Sequence, residues 1–91
     1  MASIIVTMKI MPSAPTSDLE SIRVKAENAI SSFGGKVGRV DIVPVAFGLK
    51  SVNMIFIMDE SKGSTETLEN QISSIDNVNS VDVIDVRRAL G

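Results

Sequence analysis

The 91-residue sequence predicts an α+β domain of element order β-α-β-β-α-β, a four-stranded antiparallel sheet with two helices on one face. Three observations predict it. Four segments alternate apolar and polar residues, the period of a half-buried strand. Two segments repeat apolar residues every three or four positions, the period of an amphipathic helix. Short stretches rich in Pro, Gly, Ser and Asp separate them.

Each element can be justified in order. Residues 3–11 place Ile4, Val6, Met8 and Ile10 on one face of a strand, with Ile5, Thr7 and Lys9 on the other. "PSAPTS" is a loop. Ser17, with Glu20 three residues on, reads as a capping box that opens the first helix. Leu19, Ile22, Ala26, Ala29, Ile30 and Phe33 form its apolar stripe, and Gly34-Gly35 ends it. Residues 36–45 return to a strand, with Gly38 read as a bulge and Pro44 as an edge or strand end. Residues 49–58 form the most apolar strand, with Val52, Met54, Phe56 and Met58 on its inner face; the link through Gly48 predicts a hairpin. "DESKGS" is a loop, and residues 65–75 carry Leu68, Ile72 and Ile75 at helical spacing. "DNVNS" breaks that helix, and residues 80–86 alternate again. Residues 1–45 and 46–91 each read β-α-β, a repeat of pattern only. Nothing marks a linker, so residues 1–91 are expected to form one domain, burying roughly 60–65% of the unfolded chain's surface.

Composition narrows the chemistry. The 44% apolar content lies in aliphatic residues and methionine, since Trp and Tyr are absent. Without cysteine there is no disulfide or thiol chemistry. Without histidine the chain lacks the commonest metal ligand and the commonest general base at neutral pH. A net charge of −2 argues against a dedicated nucleic-acid binder. The open sheet face, with Ile5, Thr7, Lys9, Asn53, Ile55 and Ile57, offers no aromatic platform for RNA bases. No apolar run reaches the roughly 20 residues of a membrane span, and the N-terminus reads as a strand rather than a signal peptide.

Few features point to a site. "SKGST" at 61–65 lacks the spacing of a phosphate-binding loop and reads as a helix cap by Ser64 or Thr65. Asp59 and Glu60 read as a solvated strand end rather than a metal site. Phe33 and Phe56 fall on core stripes. Phe47 does not: in "VPVAFGLK" it sits at a turn, without periodic partners. It either folds back onto the sheet end or anchors a protein interface, where aromatics are enriched. Arg87 and Arg88, placed just after the last strand, are either a solvated end or a contact for an acidic or phosphate-bearing partner.

Three segments carry a resemblance spanning essentially the whole chain. They are the turn Pro-x-(Ala/Gly)-(Phe/Tyr)-Gly-(Leu/Ile) at Pro44 to Leu49, "GSTETLENQI" at 63–72, and the terminal "DVRR". Together they resemble the archaeal translation elongation factor 1-beta family, relatives of the catalytic domain of eukaryotic elongation factor 1-beta. The resemblance implies a ferredoxin-like fold and a guanine-nucleotide exchange factor. Such a protein binds elongation factor 1-alpha in its GDP-bound and nucleotide-free forms and promotes GDP release and GTP loading during translation elongation. It implies no covalent chemistry, no catalytic residue, no cofactor and no metal. In the eukaryotic relatives the aromatic of the matching turn docks into an apolar pocket of the GTPase. The implied GTPase-binding residues are Pro44, Ala46, Phe47, Gly48, Lys50, Arg87 and Arg88. Those relatives also place a lysine next to the C-terminus, which enters the magnesium and phosphate region. This sequence reads Arg87-Arg88-Ala89-Leu90-Gly91 there, and guanidinium does not simply replace ammonium. The expectation is a cytoplasmic protein, monomeric when free, with no direct nucleic-acid or membrane contact. The alternative is a small-ligand-binding regulatory module of ferredoxin-like fold, a dimer that would bury Phe47.

Overall fold

A computed structural model describes residues 2–89. The elements run β1 (Ser3–Pro12), α1 (Leu19–Phe33), β2 (Lys36–Pro44), β3 (Lys50–Asp59), a 3-10 turn (Glu60–Lys62), α2 (Glu66–Ser73) and β4 (Val78–Arg88). The expected order β-α-β-β-α-β is present, in one antiparallel sheet of strand order β2-β3-β1-β4. Each β-α-β half supplies one central strand (β1 or β3) and one edge strand (β2 or β4), so the repeat of pattern is also a repeat in space.

The core lies between one sheet face and the two helices. Val6, Met8 and Ile10 of β1 and Val52, Met54, Phe56 and Met58 of β3 meet Ile22, Ala26 and Ile30 of α1 and Leu68 and Ile72 of α2, all buried. These are the residues that the strand and helix periods select. Phe33 is half-buried and packs at the rim of this core. Gly34 takes the left-handed φ of 103° that ends α1, and Gly35 lies against the core. A Cβ on Gly35 would come within 2.8 Å of Ile30 Cγ2 and 3.1 Å of Phe56 Cδ2, so a larger residue would push the helix end off β3.

Several local expectations need correction. The cap of α1 is Asp18, not Ser17: Asp18 Oδ1 accepts from the Ser21 N–H at 3.2 Å. Ser17 is engaged in the turn before it, its hydroxyl accepting from the Ala14 N–H at 3.2 Å. Glu20 turns instead to Arg23, which also holds Glu27 at 2.7 Å. "DESKGS" contains a 3-10 turn, with the Asp59 carboxylate accepting from the Ser61 N–H at 2.8 Å. The last strand is longer than 80–86: Arg87 and Arg88 belong to it and pair with Ile5 and Ile4. The Gly38 bulge appears where expected, as Val37 faces Phe56 and Arg39 faces Ile55 with one residue to spare. Pro44 closes β2, an edge strand whose outer side needs no N–H.

Candidate functional site

The β2–β3 hairpin builds the first half of the site. Pro44, the last residue of β2, pairs with Lys50, the first of β3. Between them the Val45 N–H donates to Leu49 O and the Leu49 N–H to Ala46 O, both at 2.9 Å. The chain thus turns through Phe47 and Gly48, at φ 54° and 77°. Two central residues at positive φ are the signature of a type I′ turn, whose twist matches that of the flanking strands. Glycine accepts this conformation readily. Phenylalanine does not, and its left-handed backbone costs about 1–2 kcal/mol.

That strain presents the ring to water. Phe47 is 96% exposed, the largest exposure among the large apolar residues described. Val45, Ala46 and Lys50 are exposed beside it, and Ile42 and Val43 extend the apolar surface down the edge strand. Pro15, in the β1–α1 loop, stands next to the turn: a Cβ on Gly48 would lie 3.7 Å from its side chain. Sequence reasoning singled out Phe47, Pro44 and Gly48 as candidates, and the structure places all three at this turn. It missed the positive φ of Phe47 and the support from Pro15, since no local signal announces either.

Arg87 and Arg88 form the second half. Lys50 begins β3, and Met58, eight residues on, faces Ile4, which pairs with Arg88. At about 3.4 Å per residue this puts the arginines roughly 27 Å from the hairpin, at the other end of the sheet. The fold therefore brings Pro44–Lys50 together at one end and places Arg87 and Arg88 at the other, where, as consecutive strand residues, they point to opposite faces of the sheet. Arg87 Nε lies 2.9 Å from Asp85 Oδ2 in an ion pair, and Arg88 Nη2 donates to Glu60 Oε2 at 3.2 Å. Glu60, 28 positions from Arg88, was invisible as a partner in the sequence. The remaining tail residues, Leu90 and Gly91, lie outside the described residues.

The rest of the surface offers little chemistry. Among the described residues no cluster of three metal-ligating side chains exists. Asp59 is committed to capping, and its hydrogen bond from the Ser61 backbone holds its carboxyl below the usual range. One hollow lies on the open sheet face, lined by Ile5, Gly38, Ile55 and Ile57, at about 270 Å³; another, beneath the hairpin, is about 150 Å³. Both fall short of the roughly 300–1,000 Å³ of small-molecule sites. The central strands carry no exposed aromatic, because Phe56 faces the core. No helix of the described residues is long and apolar enough to cross a membrane.

The domain is a ferredoxin-like sheet with a strained, solvent-facing aromatic at one end and two exposed arginines at the other. Comparison with known proteins gives the family. Residues 5–89 match the EF-1 guanine nucleotide exchange domain, and the chain belongs to that family, whose members serve nucleotide exchange in translation elongation. It is 33% identical over 90 residues to "Elongation factor 1-beta" of Methanothermobacter thermautotrophicus, covering 99% of this chain and 100% of the relative. It is 39% identical over 88 residues to the protein of that name from Natronomonas pharaonis, covering 97% and 99%. Among solved structures, the ACT domain from GTP pyrophosphokinase of Chlorobium tepidum superposes with a TM-score of 0.62 at 13% identity, covering 90% of this chain and 99% of that one. The C-terminal domain of the MgtC protein from Mycobacterium tuberculosis gives 0.60 at 16%, covering 98% and 88%. At such identities these two speak for the fold alone. The regulatory-module alternative is not favoured.

Proposed function

We propose that the chain binds elongation factor 1-alpha through both ends of its sheet and speeds GDP release without covalent chemistry. Phe47 is the anchor, seated in an apolar pocket of the GTPase, with Pro44, Ala46, Gly48 and Lys50 shaping and flanking the turn. Arg87 and Arg88 meet anionic groups near the nucleotide. The observation that carries this reading is Phe47 itself, 96% exposed on a backbone of φ 54°. A chain with three aromatic residues places one where it contributes nothing to the core and strains the turn. A partner pocket accounts for both.

The mechanism is linkage. The exchange factor binds the nucleotide-free GTPase more tightly than the GDP form, so GDP affinity falls by the same factor. Each tenfold loosening needs about 1.4 kcal/mol of differential binding. Two contacts roughly 27 Å apart suit this task. The hairpin end supplies affinity common to both states, and the arginine end engages differently when nucleotide leaves. The protein works as a cytoplasmic monomer, and nucleic acid makes no direct contact with it.

The test is release of a fluorescent GDP analogue from elongation factor 1-alpha, chased with excess GTP. Substoichiometric amounts of this protein accelerate release. An unchanged release rate, with both proteins folded, overturns the reading.

A further inference from the structure

The Arg88 end has a construction that the anchor end lacks. Arg88 is the last residue of β4, and the Ala89 N–H after it donates to Ser3 O at 2.9 Å. Glu60 follows β3 directly, and its own N–H donates to Ala2 O at 3.0 Å. Both segments are thus fastened to the start of β1, one on each side. β3 and β4 are second neighbours across β1, about 9–10 Å apart at the usual strand spacing. Glu60 and Arg88 are long enough to close that gap, and their side chains meet.

How they meet separates Arg88 from the other arginines. Both Glu60 oxygens approach one nitrogen, Nη2, at 3.2 and 3.4 Å. Arg23 and Arg39 each donate Nε to a carboxylate of their own element, and Arg87 Nε is ion-paired at 2.9 Å with Asp85 of its own strand. Among the described residues Arg88 has no partner at Nε or Nη1, which leaves three of the five guanidinium N–H donors unengaged. Arg88 is therefore held in place by another element and still able to bind, whereas Arg87 is paired only with Asp85 of its own strand.

We infer that Glu60 is a positioning residue for Arg88: it grips the guanidinium by one nitrogen and leaves three donors for a phosphate or carboxylate of the bound GTPase. This rests on the exchange reading above and selects Arg88 over Arg87 as the group that reaches the anion. An arriving anion takes the unengaged donors first and gains the full fork if it displaces Glu60. Because the anchor lies at the far end, loss of the grip changes the rate within the complex rather than the concentration needed to form it.

The experiment is the GDP-release titration with wild type, Glu60→Gln, Arg88→Ala and the double variant, each checked for unchanged thermal unfolding. Glu60→Gln keeps the length and removes the charge. It is expected to lower the saturating exchange rate about two- to fivefold, the range of an exposed ion pair, with an unchanged half-saturating concentration. Arg88→Ala lowers the rate further, and the double variant matches Arg88→Ala, because Glu60 acts only through that side chain. A Glu60→Gln rate equal to wild type, beside a slowed Arg88→Ala, overturns the positioning role and leaves the exchange reading standing. So does a Glu60→Gln loss that persists on the Arg88→Ala background. An Arg88→Ala rate equal to wild type overturns the inference at its root, and only a wild type that fails to accelerate release overturns the exchange reading as well.

Discussion

Replacing Phe47 by alanine separates binding from folding more cleanly than any other change in this chain. The ring is 96% exposed, so its removal forfeits almost no packing within the protein. Folding stability is expected to stay within about 0.5 kcal/mol of wild type. In the complex the ring would bury roughly 150–250 Å², a ceiling of about 4–6 kcal/mol at 25 cal/mol per Å². Part of that is offset by ordering of the turn and collapse of the emptied pocket, so a loss of about 2 kcal/mol or more is expected, the size of an interface hot spot. This is about 30-fold in affinity, read as an equal fall in GDP release rate at limiting exchange factor. Phe47→Gly provides a control. It removes the same ring and relieves the left-handed backbone at φ 54°, worth about 1–2 kcal/mol, against about 0.5–1 kcal/mol of extra chain entropy. It should be at least as stable as Phe47→Ala and no better at exchange. Wild-type release rates from Phe47→Ala at limiting concentration would refute the anchor. A stability loss well above 1 kcal/mol would show instead that the ring packs within the chain.

Three further outcomes follow from the same structure. The double change Arg87→Ala with Arg88→Ala should slow exchange at saturation about tenfold or more, as loss of charge-assisted hydrogen bonds does, yet cost at most about 1 kcal/mol of stability, since both ion pairs are exposed; unchanged exchange would make the arginines a solvated strand end. Phe56→Ala, at a position 1% exposed, should destabilise the fold by about 3–5 kcal/mol in urea unfolding, and a loss below 1 kcal/mol would contradict the core as described. Asp59 is held below its ordinary pKa of about 3.9 by the Ser61 backbone N–H, so its stabilising contribution is complete above that value and lost as pH falls through the folded-state pKa. Asp59→Asn should flatten the fall of the urea midpoint with acidification below about pH 4, and an identical slope in both proteins would remove Asp59 from the acid response.

Much of the fold was legible because its signals are local. The inner face of β3, Val52, Met54, Phe56 and Met58, is a two-residue period, and all four residues are buried as that period requires. Gly38 and Pro44 announced a bulge and a strand end through backbone properties they carry anywhere. The errors came where neighbours compete. Ser17 and Asp18 can both cap a helix, and the choice fell to Asp18 because the Ser17 hydroxyl serves the Ala14 turn. The strand ending at Arg88 looked shorter because Arg87 and Arg88 break the alternation, yet β1 supplies pairing partners for both.

The sequence by itself determined the element order, the core and the family, and it singled out Phe47 as an aromatic without a place on any stripe. The tertiary structure alone decided that β1 and β3 lie at the centre, that the hairpin and the arginines stand at opposite ends, and that Glu60 meets Arg88. It also decided that the Phe47 ring faces water from a left-handed backbone. The division has a physical cause. Periodicity, capping and turn chemistry are set by residues a few positions apart, so a linear reading finds them. Strand order and the Glu60–Arg88 contact depend on pairings between distant segments, whose geometry exists only once the sheet has closed around its core.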